Sequence, residues 1–260
     1  MIRNHRVLVL AVLATLVSCC AANAAAGLDT TREIVQANEA AVVTVELVLE
    51  SEMSYKGESH KEERETSGTA VVIDESGLAV TSLSQIDPTS LEDFYGERDF
   101  SINVRVVDAK IKQGDGTETP AQVVLRDRDL DLAFIKPKSA PDKPFQAIDL
   151  ENSVTPHLLD ELVTISRLGS HAGRCVAAEL ERVQAVIEKP RRLYVVEGAL
   201  GLGCPAFTHD GKVAGVTVLR CPKKGDATSF NMFSNMMCVV VPTETLQRAA
   251  KQAMEIDASN

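Results

Sequence analysis

Short β-branched runs arriving at close intervals constrain this chain more than any other feature. From residue 41 onward the sequence reads AVVTVELVLE, then GTAVVID, GLAVTSL, INVRVVDAKI, AQVVLRD and DLAFIKPK. Val, Ile and Thr carry two heavy atoms on Cβ, which suits a pleated strand and crowds a helix. DESG and QGDGTETP supply the punctuation between runs, and such Gly, Asp and Ser clusters close tight turns. ESHKEERETS, following the first run, is so charged that a solvated hairpin loop is expected there. About half a dozen short strands in roughly 100 residues predict a small antiparallel barrel.

The same rhythm returns later. SAPDKPFQAIDLENSVTP is poor in periodic pattern and rich in Pro, Ser and Asp, so it reads as a connection running over the surface. Beyond it, ELVTISRLG, RCVAAELERVQAVI, RLYVVEG, KVAGVTVLRC and MMCVVVP again predict strands. TETLQRAAKQAMEI then places Leu246, Ala249, Ala250, Ala253 and Met254 on one face of a closing helix. A short helix is also expected at TTREIVQANEA, where Thr30 precedes Glu33 at capping-box spacing. The expected layout is a strand-rich lobe over 25–139, a connector over 140–158, a second lobe over 159–242, and a helix and tail over 243–260.

Charge narrows the function. The 260 residues carry a formal net charge of -10, which argues against a nucleic-acid partner. The basic cluster Arg3, His5 and Arg6 precedes the apolar VLVLAVLATLV and a run of small residues, the pattern of an export signal over residues 1–24. Two processing routes stay open. Ala22-Asn23-Ala24 resembles a cleavage site for soluble export, whereas Leu16 to Cys19 resembles a bacterial lipobox with Cys19 lipidated. A periplasmic or extracellular location is expected, with membrane attachment only through Cys19.

Export admits disulfides. Cys175, Cys204, Cys221 and Cys238 follow the signal region and permit up to two bridges in three connectivities. Cys221 and Cys238 are the expected pair, since they lie near facing ends of neighbouring predicted strands. None of the four stands in C-x-x-C spacing, and the histidines lack an H-x-x-x-H step. Neither a metal site nor a cofactor is expected.

Three blocks in order resemble the trypsin-like, chymotrypsin-fold serine proteases of the HtrA/Deg type. SGTAVVIDESGLAVTSLSQID resembles the strand-turn-strand block that ends in T-N-x-H-V-V in that family. AQVVLRDRDLDLAFIKPK is similar to its A-x-V-V-x-x-D-x-x-x-D-L-A-V-L-K block. GLGCPAFTHDGKVAGV resembles G-N-S-G-G-P-L followed by D-G-x-V-x-G, and MMCVVVPTETLQ resembles a strand ending in A-I-P before a helix. The resemblance spans about residues 38–250. It implies an all-β fold of two antiparallel six-stranded barrels with short N-terminal and C-terminal helices; many HtrA-type proteins append a PDZ domain after the last helix, but the residues that follow it here leave no room for one, so none is expected.

The chemistry implied is acyl transfer by a serine, a histidine and a buried aspartate. Matched position by position, Ser84 stands where the histidine belongs, Asp131 at the aspartate, and Leu202 at the nucleophile. A serine hydroxyl is no general base near neutral pH, and an alkyl chain has no nucleophilic atom. Only Asp131 fits, and a purely structural role competes for it. Gly201 and Gly203 still permit the tight elbow of an oxyanion loop. Sliding the frame would make Cys204 a thiol nucleophile, but a loop histidine would then have to fold over it. The residues therefore point to a pseudoprotease that binds a peptide or protein partner, with a non-standard endopeptidase and a lipid-anchored envelope domain as alternatives.

Overall fold

The computed structural model describes residues 27–55, 58–87, 100–198, 201–221 and 236–256. The expected signal over residues 1–24, Cys19 included, lies outside them. Helix α1 covers 27–38. The first barrel comprises β1 (Val42–Tyr55), β2 (Glu58–Val72), β3 (Ala79–Ser82), β4 (Phe100–Lys112), β5 (Glu118–Asp127) and β6 (Leu132–Pro137), with the short helix α2 (Leu83–Ile86) after β3. The second comprises β7 (Glu161–Arg167), β8 (Val176–Ile187), β9 (Leu193–Val196), β10 (Pro205–Phe207), β11 (Val213–Arg220) and β12 (Met237–Pro242). Helix α3 (Thr243–Glu255) follows. Each set closes on itself, in the orders β1-β2-β3-β6-β5-β4 and β10-β11-β12-β9-β8-β7, with antiparallel pairing throughout. The expected pair of six-stranded barrels with flanking helices is what forms.

Strand periodicity distributes the apolar residues among three cores. Successive side chains point to opposite faces of a strand, so Val43, Val45 and Leu47 fill the first barrel while Val42 faces out. Likewise Ala133 and Ile135 point inward, and Leu132 and Phe134 join an outer cluster. In the second barrel Tyr194, Val196 and Val240 are internal, whereas Leu193, Val239 and Val241 meet that same outer cluster. Runs such as VVVP are apolar on both faces because one face lines a barrel and the other lies against its neighbour.

Several expectations need correction. ESHKEERETS is strand: it forms most of β2 and pairs with β1 as far as Tyr55↔Glu58. Its charges are exposed on a sheet in which β1 pairs with both β2 and β4, with Lys61–Glu52 at 3.7 Å between β2 and β1 and Arg105–Glu50 at 2.6 Å between β4 and β1. The connector is not wholly superficial, since Phe145 and Ile148 are buried and Ile148 N–H donates to Val72 O at 3.0 Å. Helix α1 begins by residue 27, so Thr30 lies within it rather than capping it. Although α1 precedes the first barrel in the chain, Ile34 enters the outer cluster, and Thr31 Oγ1 lies 3.3 Å from Nδ1 of His209. On α3, Leu246, Ala249, Ala250 and Ala253 are buried as expected, but Met254 is exposed.

The anticipated Cys221–Cys238 disulfide is absent, and all four described cysteines are free. The strand register explains this. Cys238 lies opposite Leu219 and Met237 opposite Arg220, which leaves Cys221 one diagonal step beyond its intended partner. Diagonal neighbours are about 7–8 Å apart, wider than a disulfide spans.

Candidate functional site

The β5–β6 turn aims Asp131 inward. Asp127 Oδ1 accepts the N–H groups of Asp129 and Leu130 at 3.0 and 2.9 Å, closing the turn. Asp131 follows with φ of 56°, a left-handed conformation that Asp tolerates better than most residues. Its carboxylate is then buried and fully engaged. Oδ1 accepts from Ser84 N–H at 2.7 Å and Ser84 Oγ–H at 2.6 Å. Oδ2 accepts from Ser82 Oγ–H and, at 2.9 Å, from Leu219 N–H. Burial pushes the Asp131 pKa up, and these four hydrogen bonds pull against that shift. Ser84 caps no helix; it sits in the first turn of α2 and binds Asp131 through both its backbone and its side chain.

The loop carrying Leu202 is held by residues on three strands. Gly203 has φ of 73°, and a Cβ there would come within 2.3 Å of Thr69 O and 2.4 Å of Thr81 Oγ1. Only glycine fits that crossing. Gly203 N–H donates to Thr217 O at 2.7 Å, Thr217 Oγ1–H to Gly201 O at 2.6 Å, and Cys204 N–H to Thr217 Oγ1 at 2.9 Å. Gln85, next to Ser84, donates Nε2–H to Leu202 O at 3.1 Å and to Thr81 Oγ1 at 3.0 Å, while its Oε1 accepts Thr69 N–H at 3.2 Å. Leu202 O is thus bound by Gln85, the chain neighbour of Ser84. Leu202 also borders a cavity of about 420 Å³ shared with Val196, Leu219 and Met237.

Sequence reasoning passed over Gln85 and Thr217. Thr217 had a signal, being the one hydroxyl in the apolar strand VAGVTVL; Gln85 had none, because two of its partners, Thr69 and Leu202, lie on other elements.

Cys204 is unsuited to nucleophilic work. It is fully buried, and burial pushes its thiol up to about 12. The four described histidines are placed elsewhere. His60 sits opposite Met53 on the hairpin, His157 beside Asp160, His171 in the turn after β7, and His209 3.3 Å from Glu161.

Comparison with known families now has a geometry to meet. A profile described as trypsin-like peptidase domain matches residues 68–216, more than half of the chain, running from β2 into β11. The chain belongs to the trypsin-like peptidase domain family. A search of curated proteins finds no match. Ser84, Asp131 and Leu202 all lie within the matched stretch. Ser84 and Asp131 meet at the junction of α2, β6 and β11.

Proposed function

We propose that this chain is an exported, HtrA-type trypsin-like protein that does not hydrolyse peptides and uses the region around Leu202 to bind a peptide or protein segment. The bond from Ser84 Oγ–H to Asp131 Oδ1 at 2.6 Å carries the reading. At the matched position a histidine would make that bond with one ring nitrogen and turn the other toward the nucleophile. A serine oxygen that gives its proton to Asp131 offers no comparable base. Leu202, matched to the attacking residue, offers only carbon. Losing one member of such a triad already removes most of the rate, after which the others can change at little further cost.

The Cys204 alternative is weakened by that thiol's complete burial and raised pKa. The lipid-anchored alternative concerns how the protein is held in the envelope and is compatible with a binding role. The test is direct. A fluorophosphonate probe should leave the intact mass unchanged, and unfolded casein should remain uncut over hours. Covalent labelling, or cleavage that a serine- or cysteine-protease inhibitor abolishes, overturns the proposal.

A further inference from the structure

Leucine is an unusual choice for the turn that leads into β7. Asp160 N–H donates to His157 O at 3.1 Å, which closes a four-residue turn with Leu158 and Leu159 at its centre. Leu159 has φ of 73°, at the position where such turns normally use glycine or asparagine. A side chain in that left-handed region crowds the following carbonyl. The conformation is enforced by His157 N–H donating to Asp160 Oδ2 at 2.7 Å, Leu159 N–H to Val183 O at 2.8 Å, and Val183 N–H to Asp160 O at 3.0 Å. Burial does not offset the strain, since Leu158 and Leu159 are 57% and 66% exposed. Single exposed leucines are ordinary, but an adjacent pair displayed by a strained turn weakens the fold twice and asks for a use.

The turn lies at the end of the molecule from which the N-terminal segment departs. Helix α1 runs alongside β7 in the opposite direction. Glu39 O, just past α1, accepts from Arg167 at the end of β7 at 2.9 Å. Thr31 Oγ1, in the first half of α1, lies 3.3 Å from Nδ1 of His209, whose Nε2 lies 3.3 Å from Glu161 at the start of β7. The first turn of α1, with Leu28 exposed, therefore shares an end with Leu158 and Leu159. Cys19 stands eight residues before Gly27, a length of chain that reaches at most about 29 Å. Charges near this end are engaged locally: Arg32 with Asp29 at 2.7 Å, Arg182 with Glu161 at 2.5 Å, and His157 Nδ1 3.6 Å from Asp160.

We propose that Leu158 and Leu159 insert into a lipid bilayer, with Leu28 beside them, so that this end of the protein faces the membrane. This rests on the export reading in its Cys19-lipidated form and adds an orientation to it. Apolar side chains and a lipid anchor act together in such attachment. The anchor supplies proximity, and the leucines decide which end docks. Because the nearby charges are already paired, salt should leave the insertion largely unchanged.

The chain contains no tryptophan, so Leu158→Trp places a single fluorophore in the turn. Val107→Trp is the control, since Val107 is exposed and its neighbour Asp108 shares a groove with Ser170 and Arg174, beyond the other end of β7. Both full-length variants are bound to phosphatidylcholine vesicles with and without brominated acyl chains. The apolar run over residues 7–17 also favours vesicle binding, so the readout is local fluorescence rather than flotation. Emission from Leu158→Trp should shift to the blue on vesicles and be quenched by the brominated chains at low and high salt, whereas Val107→Trp should stay solvent-like. Without vesicles, Leu159→Gly should raise the melting temperature by about 2–4 °C, because glycine takes the left-handed conformation freely. Solvent-like emission from Leu158→Trp on vesicle-bound protein overturns the proposal. So does a fall in melting temperature with Leu159→Gly, which would make Leu159 a packing residue. A blue shift that needs no lipid and grows with protein concentration overturns it in favour of a second copy covering the turn. Cys19 lipidation is read separately from the mass of the exported N-terminus, and hydrolysis from the probe and casein assays.

Discussion

Asp131 is held by four donors because it joins three pieces of chain. Its oxygens tie the start of α2 through Ser82 and Ser84 to the end of β11 through Leu219. Asp131→Ala would leave two backbone N–H groups and two hydroxyls without their acceptor, and should cost about 3 kcal/mol in urea unfolding. Asp131→Asn keeps one carbonyl acceptor and should cost roughly half as much. Glu181 makes a different residue-scale prediction. Its folded pKa lies above the ordinary 4.5, so the native state holds that proton more tightly than the unfolded chain. The resulting stability is complete below pH 4.5 and is lost as pH rises through the folded pKa. Glu181→Gln should flatten that decline in urea midpoints measured from acid to neutral pH.

Among the elements, α3 and the β1–β2 hairpin are opposites. Helix α3 buries Leu246 completely in the outer cluster, so Leu246→Ala should cost about 2–4 kcal/mol and lower the melting temperature by several degrees. The hairpin is solvated and laced with charge. Burial is the largest single influence on Glu46 and pushes its pKa up, but the hydrogen bonds and charges of Lys110 and Arg174 together outweigh it and hold the pKa below the usual range. Near the base of that sheet, Lys112 and Lys110 hold the Glu118 carboxyl down to about 2. Here the sign is reversed from Glu181: the pairing is fully present above pH 4.5 and is lost as pH falls toward 2. Added salt should erode it in the same acid titration, because the groups are exposed. The sequence of ESHKEERETS signalled solvation correctly but not strand. Its pairing to β1 was invisible because every partner lies on another segment.

At the scale of the whole molecule, the two barrels are joined by more than apolar contact. Arg167 at the end of β7 donates to Val42 O at 2.5 Å and Glu39 O at 2.9 Å, and Gln85 binds Leu202 O across the same junction. Arg167→Ala should cost about 2–3 kcal/mol. Gln85→Ala should instead loosen the Leu202 loop, seen as faster amide exchange at Gly203 with a smaller change in global stability. The spacing of β-branched runs and the turn residues were enough to set two strand-rich lobes, because strand period and turn chemistry are local properties; that each lobe closes as a six-stranded barrel followed from the family resemblance of the ordered blocks. Ser84, Asp131 and Leu202 could be named from those blocks. Tertiary structure alone decided that Asp131 is saturated by serines and backbone, that Cys221 and Cys238 lie diagonally, two residues out of register, and that Glu181 is buried against Gly198. Each depends on which strands become neighbours and in what register, and long-range pairing is not written in any single stretch of chain.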